Sequence, residues 1–424
     1  IFDQLSNLIE EVNQAIVITQ NKQNIKTVEH DYKVLTTLEE IKGLINELFI
    51  QKHFSFDTET TGLDPLNADI VGLSICYKEH EAYYIPFTEC AEDCKKILEN
   101  FKGVFENANI LKIGQNIKYD IHILKNYGID VKGPIFDTMI AHYLIQPELQ
   151  HNMDYLAAKY LNYEPVSIES LIGKKGKNQL SMRQVPLEII KEYACEDADI
   201  TYQLYFPLRN ELKKYGMEDL AYNLEMPLVL VLVDMERAGF KLSTENLKTF
   251  GDELNKEILL LEEEIYNLAG ERFNISSPKQ LGEILFEKLK IAVEVKKTKT
   301  DQYSTSEETL QQLIDKHPII SKILEYRTLK KLLNTYVEAL PELINPKTGK
   351  VHTSFEQAWV ATGRLSSKNP NLQNIPIRDE KGREIRKAFV ASDDEHVLLS
   401  ADYSQIELRI MAHLSEDPPM IEAF

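Results

Sequence analysis

The sequence predicts an α/β domain followed by a helical zone and the start of a second α/β region, on three observations. Residues 28–212 interleave short alternating apolar runs (HFSFDTET, IVGLSICY, EAYYIPF) with helical patterns such as CKKILENFKGVF and MDYLAAKYL. Residues 213–345 carry apolar residues at three- and four-residue spacing in ILLLEEEIYNLAG, SPKQLGEILFEKL and SEETLQQLIDKHPIISKILEYRTLKKLLNTYVEAL, which predicts long amphipathic helices. From residue 346 onward Gly, Asn and Pro rise, and a strand-like HVLLSADYS precedes a helical IELRIMAHL.

Within the helical zone, Ser277-Pro278 and the stretch from Ser304 to Glu307 read as helix starts, with a hydroxyl capping free amides and Pro or Glu in the first turn. Between them KLKIAVEVKKTKTDQYST is polar and lysine-rich. No Gly/Ser-rich or Pro-rich linker and no internal repeat marks the borders.

The composition is that of a core-forming protein, with 43% hydrophobic and 27% charged residues. Its 48 Lys and Arg against 67 Asp and Glu give a net charge of −19. A chain whose whole surface binds nucleic acid is usually basic, so any polyanion site here must be a local stripe or a cation-filled cluster. The four cysteines, Cys76, Cys90, Cys94 and Cys195, fit neither a zinc ribbon nor a disulfide framework, and free thiols in a reducing, cytoplasmic setting are expected. The longest apolar run, Leu228 to Val233, falls far short of the ~18 residues of a spanning helix, so no membrane association is expected. Ile1 is not an initiator Met, no signal-peptide pattern follows it, and PPMIEAF carries no helix stop, so an internal piece of a longer chain is expected.

The first cluster that carries chemistry is HFSFDTET. As a strand it places Asp57 and Glu59 on one face, away from Phe54 and Phe56. Two carboxylates that close repel, so one takes a proton unless a hard cation such as Mg²⁺ sits between them. A solvated strand end before Thr60-Thr61-Gly62 is the alternative. GQNIKYD ends in Asp120 at the start of a helical pattern, and KEYACEDAD puts Tyr193 and Asp197 four residues apart on one helix face, with Glu196 pointing elsewhere.

DTET, NIKYD and YACED in this order resemble the DEDDy 3′ to 5′ exonuclease family, of the ribonuclease H-like fold. The resemblance implies that Asp57, Glu59, Asp120 and Asp197 hold two divalent metal ions, Mg²⁺ or Mn²⁺, and that Tyr193 positions the attacking water. Two such ions supply a nucleophile, a stabilised leaving oxygen and charge neutralisation, and four carboxylates hold them without a basic surface. By the same resemblance Leu63, Gln115 and Asn116 contact the terminal nucleotide, Leu63 as an apolar wedge. For Leu63 a core or loop-packing role stays open.

The second cluster is ATGRLSSKNPNLQNIPIRDEKGREIRKAF. From Gly363 to Ala388 it holds seven basic residues against three acidic, a local basic stripe in an acidic chain. Its Arg, Asn and Gln donors suit phosphates and base edges, while Leu372, Ile375 and Pro376 suggest an anchored loop. TGRLSS, NPNLQNIP and DYSQIELR resemble family A DNA polymerases, and FNISSPKQLGEILFEKL and YSTSEETLQQL are similar to that family's thumb. The resemblance implies that Asp402 binds the polymerase metal, Mg²⁺, that Glu407 guards against a ribose 2′ hydroxyl, and that Arg364, Gln373, Asn374 and Gln405 contact the primer-template.

The implied organisation is 1–27 as linker or remnant, 28–212 as ribonuclease H-like exonuclease, 213–345 as start of the polymerase domain and helical thumb, and 346–424 as the first part of an α+β palm. The fingers and the later palm turn with a second metal-binding Asp are not in these residues, so only the exonuclease is expected to be complete. DNA is the expected partner, as a single-stranded 3′ end and as a primer-template duplex, with deoxynucleoside triphosphates in a longer chain and a monomeric state. The alternatives are a free-standing exonuclease of the ribonuclease D type, against which everything after Leu212 argues, and a non-catalytic DNA-binding module with a vestigial nuclease fold.

Overall fold

The computed structural model describes residues 22–292, 297, 302–377 and 380–424. Most of the segment expected as a linker, part of the lysine-rich stretch, and Arg378 and Asp379 of the basic stripe lie outside them. The chain divides into two compact units. Unit 1 runs to Ala238 and takes in Thr353–Asn371, and unit 2 comprises Gly239–His352 and Leu372–Phe424.

Unit 1 is built on a six-stranded mixed sheet. Its strands are β1 (Asp31–Val34), β2 (His53–Thr60), β3 (Ile70–Lys78), β4 (Glu81–Pro86), β5 (Leu111–Gly114) and β6 (Ile135–Asp137), in the order β1-β4-β3-β2-β5-β6. β2 pairs antiparallel with β3 and parallel with β5. It is therefore interior, and both its faces are covered. On one face Phe54 and Phe56 pack with Phe105, the ring centroids of Phe56 and Phe105 lying 4.9 Å apart. On the other, Ser55 donates to the carbonyl of Ala198 at 2.6 Å and ties the strand to a long helix. The period of two thus delivers Asp57 and Glu59 toward that helix.

Three helices matter to the site: α1 (Ile117–Asn126) after β5, α2 (Thr138–Ile145) after β6, and α3 (Leu187–Lys214), which lies across β2, β3 and β4. A fourth, α4 (Met226–Ala238), contains the apolar run seen in the sequence. It buries Met226, Val229, Leu232 and Val233 and leaves Val231 exposed, so it is amphipathic. Among the described residues no helix is long and apolar enough to cross a membrane. The four cysteines are free thiols.

Unit 2 is mainly helical. Helix α5 (Thr244–Ala269) buries Leu247, Phe250, Leu254, Ile258, Leu261 and Ile265 at three- and four-residue spacing and packs against α6 (Pro318–Leu332). Ser277 caps a helix beginning at Pro278, and the Ser306 hydroxyl accepts from the Thr309 amide. The long apolar pattern after Ser306 breaks at His317-Pro318, because a proline tolerated in a first turn cannot continue the turn before it. HVLLSADYS forms no strand. A strand needs a neighbour for its amides and carbonyls, none of the described residues pairs with this segment, and Val397 and Leu399 stand 86% and 90% exposed.

Candidate active site

Carboxylates from three elements converge in unit 1. β2 supplies Asp57 and Glu59, α1 supplies Asp120 in its first turn, and α3 supplies Asp197 and, one turn earlier, Tyr193. One oxygen each of Asp57, Glu59 and Asp197 lies within 4.8 Å of the others, the only such group of three or more possible metal ligands among the described residues. Glu59, Asp120 and Asp197 are buried and Asp57 is half-buried.

Asp120 is held separately: Thr58, between the two β2 carboxylates, donates its amide (3.0 Å) and its hydroxyl (2.6 Å) to Asp120 Oδ1. The Tyr193 hydroxyl is within hydrogen-bonding reach of Asp197. Glu196, next to Asp197, turns away to accept from the Tyr163 hydroxyl and the Val166 amide, both at 2.7 Å.

Burial pushes the Asp57 carboxyl up to about 6. Glu59, Asp120 and Asp197 are pushed well above the usual carboxylate range, by burial first and then by the charge of Asp57, the foremost charged neighbour of all three. Burial, and then Asp197, raises the Tyr193 phenol as well. The buried Glu59 Oε1 has no hydrogen-bond partner. A cluster of mutually repelling carboxylates with one buried oxygen left unpaired is suited to a hard divalent cation, which these oxygen donors fit.

The turn after β5 is shaped for exposure. Asn116 adopts φ 56° at the start of α1, and Asp137 fixes it by accepting from the Asn116 (3.1 Å) and Ile117 (2.9 Å) amides while capping α2 through the Met139 amide (2.8 Å). Asn116 is exposed, whereas the Gln115 amide is engaged by the His151 carbonyl (2.7 Å) and the Thr138 hydroxyl. Leu63 is 85% exposed, which leaves no core-packing role for it. Its loop is anchored from α1, since the Tyr119 hydroxyl lies 2.5 Å from both the Gly62 carbonyl and the Thr60 hydroxyl. Gly72 pairs with Glu59, and Tyr84 lies so close that a Cβ there would meet its ring at 2.1 Å. Only glycine at 72 lets that ring lie over the strand position that pairs with Glu59.

The second cluster is distributed. Arg364 is exposed on a hairpin of unit 1 whose strands are Ser354–Glu356 and Ser366–Lys368. Gln373 and Asn374 form a short 3-10 turn of unit 2 in which the Asn374 carbonyl accepts from the Tyr336 hydroxyl at 2.5 Å. Gln405, at φ 50°, begins the helix Ile406–Ser415, with Glu407 exposed in its first turn, and Asp402 lies exposed before it. Asp402 and Glu407 join no group of three possible metal ligands among the described residues.

Thr58, Asp137 and Tyr119 were not foreseen as parts of the site. Thr58 alone had a visible signal, since a hydroxyl between two metal-type carboxylates on a strand faces a neighbouring element.

Residues 32–213 match the family model described as 3'-5' exonuclease, and residues 244–424 match that of DNA polymerase family A. The chain is 43% identical over 422 residues to DNA polymerase I of Borreliella burgdorferi, covering 99% of this chain and 44% of that protein. It is 41% identical over 431 residues to DNA polymerase I of Pseudomonas aeruginosa, covering 99% and 47%. This chain thus spans under half the length of these relatives. Among solved structures it resembles the POL domain of Pol1 from M. smegmatis in complex with DNA primer-template and dNTP. There the TM-score is 0.76 at 32% identity, with 92% of this chain and 64% of that chain covered.

Proposed function

We propose two roles, from the match of residues 32–213 to the family model described as 3'-5' exonuclease and of residues 244–424 to that of DNA polymerase family A. The chain removes nucleotides from the 3′ end of DNA by metal-dependent phosphodiester hydrolysis, and it contributes part of the primer-template platform of a DNA-directed DNA polymerase. The observation that carries the first role is the unpartnered, buried Glu59 Oε1 beside Asp57 and Asp197. Asp57, Glu59, Asp120 and Asp197 would hold divalent cations, Mg²⁺ or Mn²⁺, which would supply Lewis acidity and neutralise the phosphate's charge.

The protein's own groups do the rest. Tyr193 donates its hydroxyl proton to Asp197, a bond that its raised pKa preserves, and orients the attacking water through the lone pairs of the same oxygen. Thr58 fixes Asp120 so that the fourth carboxylate does not depend on α1 alone. Leu63 meets the terminal base as an apolar wedge, and the αL turn at Asn116 offers an exposed amide side chain to the strand. Gln115 supports that turn from within. In the second role Arg364, Gln373, Asn374 and Gln405 contact the primer-template without reading sequence, Asp402 holds a polymerase metal, and Glu407 excludes a 2′ hydroxyl from the incoming deoxynucleoside triphosphate.

The test is digestion of a 5′-labelled single-stranded oligonucleotide. A ladder shortening from the 3′ end, stopped by EDTA and restored by Mg²⁺ or Mn²⁺, is expected. Wild-type rates in a D57A/E59A variant, in a preparation free of contaminating nuclease, would overturn the assignment.

A further inference from the structure

A buried charge cluster next to the site has no part in the chemistry above. Lys118 lies on α1, two residues from Asn116 and two from Asp120, and its Nζ donates to Glu236 Oε1 (2.7 Å), to Ser354 Oγ (3.2 Å) and to the Phe355 carbonyl. Glu236, on α4, also accepts from the Phe355 amide at 2.6 Å and faces His122 Nε2 at 2.7 Å. It is 5% exposed. Burial pushes its carboxyl up, but His122, Lys118 and the Phe355 amide together outweigh this and hold it below the usual range.

Ser354 and Phe355 begin the hairpin that carries Arg364. Farther along the same hairpin, the Tyr143 hydroxyl donates to the Val360 carbonyl (2.8 Å) and accepts from the Gly363 amide (3.1 Å), and Gln357 donates to the Glu225 carboxylate at 2.7 Å. The hairpin is therefore bonded to the body of the exonuclease unit at several points, and one of them is on the helix that bears Asp120. A buried carboxylate on one helix that satisfies donors from two other segments is an expensive feature to leave partly bonded, so it favours one arrangement of the three.

We propose that Lys118 and Glu236 are positioning residues that seat the primer-contacting hairpin at a fixed place against α1, so that a paired primer end is retained on the hairpin and spared from hydrolysis. This rests on the function proposed above. With the link intact, a duplex engaging Arg364 meets a rigid ledge. With it cut, the Ser354–Phe355 end of the hairpin loosens and the paired end frays more readily toward the carboxylates. Asp120 itself is held by Thr58, so hydrolysis of a strand that is already single does not depend on the link.

The test uses this 424-residue chain with one 3′ end presented single-stranded and again fully paired. For K118M and S354A, kcat and KM on the single strand should stay within twofold of wild type, while the rate on the paired end rises at least threefold. K118R, which keeps charge and reach, should restore the wild-type ratio. S354A removes one acceptor of Lys118 together with the hydroxyl's own bond to Glu356 Oε1 (3.0 Å), and it carries the expectation alone if K118M does not fold, as judged by circular dichroism and thermal unfolding. An unchanged ratio in folded variants, or an equal change on both substrates, overturns the proposal while leaving the exonuclease assignment standing. A wild-type chain that digests neither substrate with metal present overturns that assignment, and this proposal with it.

Discussion

Thr58 grips Asp120 by two bonds to a single oxygen, the amide at 3.0 Å and the hydroxyl at 2.6 Å, joining positions 62 residues apart. The strand that supplies two ligands thereby also aims a third. Thr58→Val keeps the shape and the amide bond but removes the hydroxyl. A hydrogen bond to a charged acceptor is worth about 1.5–3 kcal/mol, so kcat on single-stranded DNA should fall roughly 10- to 100-fold with KM little changed. An unaltered kcat would mean that α1 and the remaining amide bond suffice to position Asp120.

Tyr193→Phe should be milder than loss of a ligand. It deletes one orienting hydrogen bond, about 1–3 kcal/mol, and leaves all four carboxylates. Single-turnover hydrolysis should slow by roughly 5- to 100-fold, whereas Asp197→Ala, which removes a ligand, should abolish it. Equal losses in the two variants would argue that the phenol itself supports the metal.

The pH dependence of stability has a definite sign. Asp57, Glu59, Asp120 and Asp197 have folded pKa values above the unfolded ones. Each therefore contributes stability that is fully present below the unfolded carboxyl pKa of about 4 and lost as pH rises through the folded value, near 6 for Asp57. In EDTA the Tm of the wild type should fall relative to D57N/E59Q as pH rises from about 4 to 7, and Mg²⁺ or Mn²⁺ should narrow the gap because metal displaces the protons. Parallel Tm curves for the two proteins would refute the burial of ionised carboxylates.

For the polymerase half, the exposed Asp402 joins no group of three possible metal ligands among the described residues. These 424 residues should bind primer-template without extending it, and template-directed incorporation by this chain would overturn that expectation. In a chain of the relatives' full length, Asp402→Asn should abolish extension and spare the exonuclease. Glu407→Ala should there raise ribonucleotide use relative to deoxyribonucleotide use, measured by single-turnover incorporation.

What could be read in advance follows physical range. The alternation in HFSFDTET and the four-residue step from Tyr193 to Asp197 are local periodicities, and they correctly placed side chains on one strand face and one helix face. The exposure of Leu63 and the tie from Gly62 to Tyr119 depend on a contact 57 residues away, and the Asp137 clamp on one 20 residues away. Neither leaves a local pattern. The strand expected at HVLLSAD shows the same limit from the other side, since apolar β-type residues define a strand only when another strand is there to pair. The basic stripe after Gly363 looked continuous in sequence, yet Arg364 belongs to unit 1 and Gln373 to unit 2.

The interrupted composition of unit 1 has a bearing on biosynthesis. Its sheet and helices end at Ala238, but the hairpin that completes it is not translated until the long helices of unit 2 have emerged. A nascent chain that has reached only α4 holds Lys118 and Glu236 without Ser354 or Phe355, so two charged groups destined for the interior await their remaining partners. Vectorial folding here is a two-visit process. A ribosome-bound intermediate arrested before residue 353 should already resist protease across the sheet while α1 and α4 still admit water between them.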